Sequence, residues 1–195
     1  MTSKLQSPPF FYVGCCDSRL PLNTFTRSGP GHFFVHRNIA NQIHHNDINL
    51  LASLEYAVNF LGVEHIIVAG HYRCGGIRAS VHGVSSGVIG SWVQPIRLTY
   101  LAHRDSLDVD NEEHLLDQLS ELNAVEQCKS LLGTKIMLDR IEEGQSVPTI
   151  HAAIIDLGTG HINELPLPLQ QWRDQKLIPQ SYNNNGYEPC DITTK

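Results

Sequence analysis

The sequence predicts an α/β fold, a mainly parallel central β-sheet flanked by helices. Three observations carry that expectation: short apolar runs at 10–14, 65–70 and 149–157, helical periodicity between them, and chemistry-bearing residues just past the first two runs. The run FFYVG is aromatic and β-branched, is entered from Pro8-Pro9, and delivers Cys15 at its carboxyl end. A Pro/Gly/Ser/Thr-rich connection reaches Gly31, and HFFVH at 32–36 predicts the second strand. Asn46-Asp47 supply a cap for a helix over about 48–61, with Leu50, Leu51, Leu54, Ala57 and Val58 at helical spacing and Gly62 as its stop. HIIVAG at 65–70 is almost wholly apolar, as in a parallel strand covered on both faces. Gly75-Gly76 open a helix over about 77–82, and a Gly/Ser-rich loop over 83–91 follows. Helical patterns occupy 93–103, 112–132 and 135–143. TIHAAIIDL at 149–157, the turn GTG and the run HINELPL predict a closing hairpin. One domain is expected over 1–195. The pattern fades after Leu169, so that 170–195 reads as a C-terminal tail or a surface-draped arm.

Composition narrows the function. The chain has 195 residues, 41% of them hydrophobic, enough for one core of its own. A formal net charge of −6 and the lack of any basic run argue against nucleic-acid binding. No apolar run approaches the roughly 18 residues a membrane span needs, and the N-terminus lacks the pattern of a secretory signal. The expected location is therefore cytoplasmic. Five cysteines, an odd number in a chain with its own core, read as reduced thiols.

Two clusters hold the chemistry: Cys15-Cys16-Asp17-Ser18-Arg19, and His71-Tyr72-Arg73-Cys74-Gly75-Gly76. Both follow strands, and parallel sheets place their sites at the carboxyl ends of strands. Thiolate and imidazole suit zinc in a tetrahedral site. His71 and Cys74 can converge across a strand-to-helix turn, and Cys15 on a neighbouring strand end can add a third bond. That set leaves a fourth position for water, as catalytic zinc sites do.

With these motifs the chain resembles the β-class carbonic anhydrases over about 5–167. The family signatures C-x-D-S-R and H-x-x-C stand at 15–19 and 71–74, with further matches at FFVHRNIAN, SLEYAV, NAVEQ and IIDLGTG. The resemblance implies one zinc per chain on Cys15, His71 and Cys74, with carbon dioxide and bicarbonate as substrates. It implies an Asp17–Arg19 dyad beside the metal, Gln6 as a substrate-binding glutamine, and a carbon dioxide pocket lined by Phe34, Ile39 and Tyr56. It also implies a homodimer or a dimer-based higher oligomer, in which Gln6 and Phe34 meet the zinc of a neighbouring chain.

The physics agrees. Zinc lowers the pKa of bound water, and two thiolates donate more charge than imidazoles would, so a neutral to alkaline optimum is expected. Asp17 can orient the resulting hydroxide if a bidentate Arg19 keeps it off the metal. The Gly75 N–H, near a helix N-terminus, can bond bicarbonate oxygens.

Other residues read more plainly: Cys16 as structural, Cys128 as core, Cys190 as inert, His44-His45 as a solvated loop, His151 as packing, and Arg37-Asn38 as support beneath the site. Only fourteen residues precede Cys15, so the N-terminal helices common in the family are expected to be absent or nearly so. The positions of a regulatory bicarbonate site found in one subgroup hold Tyr12, Arg37 and Ile155, of which only the Arg matches; with Gln6 present, the chain looks closer to the plant-type subgroup. Two rival functions share the scaffold: a carbonyl sulfide or carbon disulfide hydrolase, and a non-catalytic zinc protein.

Overall fold

A five-stranded sheet in the order β2-β1-β3-β4-β5 forms the centre of the structure, a computed structural model that describes residues 5–83 and 86–184. Its strands are β1 (Phe10–Cys15), β2 (Phe33–Asn38), β3 (His65–His71), β4 (Thr149–Ile155) and β5 (Ile162–Leu165). The first four run parallel, and β5 returns antiparallel to β4 as the closing hairpin. Around them lie α1 (Leu22–Phe25), α2 (Ile48–Glu55), α3 (Gly75–Val81), α4 (Gly87–Trp92), α5 (Gln94–His103), α6 (Glu112–Leu132), α7 (Lys135–Glu142) and α8 (Leu169–Asp174). No helix among the described residues is long and apolar enough to cross a membrane.

Local chemistry sets the boundaries. The Asp47 carboxylate accepts the N–H groups of Asn49 and Leu50 (3.0 and 3.3 Å) and caps α2. That helix continues in wider, π-helical turns over Tyr56–Leu61 and stops at Gly62, whose φ of 62° a side chain would oppose. Asn111 and Thr134 cap α6 and α7 in the same manner.

Strand alternation divides the core. Phe11, Val13, Ile66, Val68, Ile150 and Ala152 bury one face of the sheet against Leu50 and Leu54 of α2, Cys128, Leu131 and Leu132 of α6, and Met137 of α7. A second buried cluster contains Tyr12, Leu20, Leu22, Ala69 and Ile155 together with Cys15 and Cys74. The register puts Cys15 opposite Asn38 of β2 and His71 opposite Ile155 of β4, so the last residues of β1 and β3 reach the same edge.

Three sequence expectations need correction. The connection before β2 contains α1, and the loop over 83–91 contains α4. The larger correction is to the tail. Residues 169–184 are built into the fold: Trp172, Ile178 and Tyr182 are buried in the main core. Asn184 pairs with the backbone of Ile150, its Oδ1 accepting from the N–H (2.8 Å) and its Nδ2 donating to the carbonyl (3.0 Å). Pairing of β5 to β4 begins only at Ala152, so Ile150 lies beyond it, and the Asn184 amide stands in for the next strand residue. Residues 185–195, Cys190 included, lie outside the described residues.

Replacing Trp172 with Ala should therefore cost about 3–5 kcal/mol, as for other buried aromatic truncations. Urea denaturation measures it, and a loss below about 1 kcal/mol would mean that this segment adds little to the core.

Candidate metal centre

Cys15, His71 and Cys74 are all buried, and their ligand atoms lie within 4.8 Å of one another. Two arrive at strand ends and the third at the start of a helix. Cys15 ends β1 and His71 ends β3, which are neighbours in the sheet. Beyond His71, the Tyr72 N–H bonds the Ile155 carbonyl (3.1 Å), and Arg73 takes a left-handed turn at φ 58°. Cys74 then stands at the N-cap of α3. That helix approaches closely because residue 76 is glycine: a Cβ there would lie 2.9 Å from Ala40 Cβ and from Ile39 Cγ2.

The hydrogen-bond pattern points to a cation. His71 Nδ1 donates to the Tyr72 carbonyl (2.9 Å), which leaves Nε2 as the nitrogen available to a metal. That Nε2 is buried with no hydrogen-bond partner among the described residues. The two sulfurs are 4.0 Å apart. The Cys15 thiol is pulled down to about 4, first by a hydrogen bond from Cys74 and, against burial, by His71 and the Ala40 N–H. The Cys74 thiol is pushed up, by its bond to Cys15 and then by burial. One negative charge is thus welcome in this pocket and a second is opposed unless a cation joins it. Zinc fits the donor set: two bonds of about 2.3 Å at a tetrahedral angle would set the sulfurs roughly 3.8 Å apart.

Beside the cluster stands a clamped carboxylate. Arg19 Nε donates to Asp17 Oδ1 (2.9 Å) and Nη2 to Oδ2 (2.7 Å), while the Arg19 backbone N–H adds a third bond to Oδ1 (2.9 Å). These bonds from Arg19 hold the Asp17 carboxyl well below the usual range, so it is ionised and can only accept. Asp17 Oδ2 lies 3.8 Å from His71 Nε2. Arg19 Nη2 also reaches the Arg73 carbonyl (3.3 Å), which ties the clamp to the turn carrying His71 and Cys74.

The remaining sequence candidates divide into two places. Ile39 and Gly75 lie at the cluster: Ile39 precedes Ala40 and packs toward α3, and Gly75 is the exposed first residue of that helix. Gln6, Phe34 and Tyr56 do not come to the Cys15–His71–Cys74 cluster of their own chain. Phe34 pairs with Phe11, four residues before Cys15 and so about 13 Å back along the strand. Tyr56 stacks between Phe34 and the exposed Phe60, and Gln6 is exposed ahead of β1.

Several contributors had no sequence signal of their own. The Ala40 N–H donates to Cys15 Sγ (3.4 Å). Trp92 Nε1 donates to the Ile39 carbonyl (2.8 Å) and packs on His44, whose ring is thereby half-buried instead of solvated. Cys16, expected to be structural, is exposed and lines an apolar hollow of about 440 Å³ with Asn38, Ile39, Val88, Ile89 and Trp92. Arg37 does support the site, donating to the carbonyls of Cys15 (2.8 Å) and Leu20 (2.9 Å). His151, read as packing, bonds Glu164 (2.5 Å) and His65 (3.0 Å) away from the cluster.

Comparison with known proteins points the same way. Residues 10–162 match the family model described as carbonic anhydrase. The chain is 37% identical over 161 residues to a carbonic anhydrase of Emericella nidulans, covering 82% of this chain and 70% of the relative. It is 30% identical over 187 residues to one of Candida albicans, covering 94% of this chain and 66% of that protein, just under two thirds of its length. Among solved structures, a tetrameric β-carbonic anhydrase of Sordaria macrospora superposes with a TM-score of 0.75 at 36% identity, covering 83% of this chain and 82% of the other. A Coccomyxa β-carbonic anhydrase in complex with acetazolamide gives 0.79 at 31% identity, with coverages of 84% and 74%.

Proposed function

The chain belongs to the β-class carbonic anhydrases, and from that premise we propose that it interconverts carbon dioxide and bicarbonate at one zinc ion held by Cys15, His71 and Cys74. The observation that carries this reading is the orphaned, buried His71 Nε2 facing two thiols, with an Arg-clamped carboxylate 3.8 Å away. When bound, zinc supplies Lewis acidity that makes a water molecule nucleophilic near neutral pH.

The protein's own groups do the rest. Asp17, ionised and acceptor-only, takes a proton-side hydrogen bond from the attacking oxygen and so aims its lone pair at the substrate carbon. Arg19 holds both carboxylate oxygens and prevents Asp17 from becoming a ligand itself, a bidentate task for which Lys lacks the geometry. The Gly75 N–H, on the exposed first residue of α3, is the group that would bond a product oxygen. The apolar hollow at Ile39 and Trp92 suits a substrate without a net dipole.

The working unit in this proposal is a homodimer or a multiple of it. β2 is an edge strand, and the exposed Val35, Ile39, Tyr56 and Phe60 lie on or beside it. A second copy seated there would cover these side chains and bring Gln6, Phe34 and Tyr56, remote from their own ligands, toward the partner's site. The Sordaria macrospora neighbour is described as tetrameric, which agrees with a dimer-based assembly. Sedimentation at micromolar concentration should show a dimer or larger species. A stable monomer with full activity would contradict the proposal.

The dyad gives the sharper test. In Arg19→Ala the freed carboxylate can itself enter the coordination sphere, since carboxylates are competent zinc ligands. Zinc content should stay near wild type while carbon dioxide hydration falls by orders of magnitude. Asp17→Asn should also keep zinc and lose activity, because an amide cannot orient the attacking oxygen as a carboxylate does. Crystal structures would then show Asp17 on the metal in the first variant and not the substituted side chain in the second. Near-normal turnover in Arg19→Ala would overturn the gatekeeping role.

A further inference from the structure

The turn after β2 is held in an unfavourable shape by side chains that reach it from a distant helix. Ala40 and Asn41 both adopt left-handed backbones (φ 58° and 47°), although neither is glycine and both are buried. Such conformations persist only where the surroundings over-determine them. Here the Ala40 carbonyl accepts two amide N–H bonds, from Asn123 Nδ2 of α6 (3.1 Å) and from Gln42 Nε2 (2.9 Å). The two amides brace each other, with Gln42 Nε2 also donating to Asn123 Oδ1 (2.8 Å). Gln127 Nε2 adds a second bond to Asn123 Oδ1 (3.2 Å), and Asn38 ties down both backbone groups of Gln42 (2.7 Å each). Fixing the Ala40 carbonyl fixes the backbone at its Cα, and so aims the N–H on the other side, which points at Cys15 Sγ (3.4 Å). Ala40 also fills the space left by Gly76 at the start of α3, so it touches both segments that deliver sulfur to the cluster.

We infer that Asn123 and Gln42 are positioning residues for the Cys15 sulfur: their amides lock Ala40 in its left-handed conformation and thereby keep its N–H on that sulfur. The inference rests on Cys15 being a metal ligand, as proposed above. An N–H bond to a coordinating thiolate draws charge from the sulfur and fixes its direction, as outer partners of metal ligands do. Without it, the sulfur donates more strongly and points less reproducibly.

The test uses the full chain loaded with cobalt(II), whose sulfur-to-metal charge-transfer band in the near ultraviolet reports the energy of the sulfur electrons. Gln42→Met is the cleaner variant, because Gln42 Oε1 has no partner among the described residues and only the donor bonds are lost. Asn123→Ala removes the other donor to Ala40. Both should move the band to longer wavelength, and competition with a chelator should show zinc affinity lowered about 10- to 100-fold. Leu131→Ala, on the same helix but in the main core, should lose thermal stability and leave the band in place. If Asn123→Ala does not fold, Gln42→Met alone decides. An unmoved band in a folded Gln42→Met or Asn123→Ala protein overturns the inference, as does an equal shift in Leu131→Ala. A wild-type chain with no sulfur-to-cobalt band at all would instead sink the ligand assignment, and the inference with it.

Discussion

Two buried thiols 4.0 Å apart cannot both lose their protons unless a cation sits between them, and much of this structure serves to create that situation. A parallel sheet is the right frame, because it brings the carboxyl ends of non-consecutive strands to one edge. β1 and β3 are adjacent, so Cys15 and His71 arrive together although 56 positions separate them in the chain (71 − 15). The left-handed Arg73 and the bare Cα of Gly76 then allow α3 to start close enough for Cys74 to complete the set. The N–H groups of Gly76 and Ile77, in the first turn of α3, lower the cost of charge on that sulfur, though less than the neighbouring thiol raises it.

The polar groups around the cluster form two separate supports. Arg19, Asp17 and the Arg73 carbonyl shape the mouth, where an ionised carboxylate stays beside the orphaned imidazole nitrogen without reaching it. Asn38, Gln42, Asn123 and Gln127 shape the floor, a buried amide network between the turn after β2 and α6. The first support is exposed at Arg19 and depends on bidentate geometry. The second is buried, where satisfied hydrogen bonds hold a strained backbone more firmly than they would in water.

Much of this was legible in the sequence. Apolar runs gave four of the five strands, the GTG turn and HINELPL gave the closing β5, Asp47 and Gly62 gave the ends of the helical stretch between β2 and β3, and the two sequence motifs gave the Cys15–His71–Cys74 cluster and the Asp17–Arg19 ion pair. The failures have physical causes. α4 lies among Gly and Ser residues whose propensity favours loops, and tertiary contacts such as the Trp92 bond to Ile39 are absent from any local window. Trp172, Ile178 and Tyr182 lack a helical or strand period, yet each finds a place in the core. The Ala40 N–H is a backbone group, present at every non-proline residue, so only the folded turn shows that it faces a sulfur. Phe34 and Tyr56 stand out by resemblance alone; in the single chain Phe34 is a half-buried residue of β2 that packs between Phe11 and the exposed Tyr56.

The donor set is the claim on which site, clamp and amide network all depend, and X-ray absorption at the zinc edge of the wild-type chain tests it most directly. One zinc per chain with two sulfur neighbours at about 2.3 Å and the remaining neighbours nitrogen or oxygen at about 2.0–2.1 Å is the predicted result. A sulfur count of zero or four, or a chain that takes up no stoichiometric zinc, would contradict it.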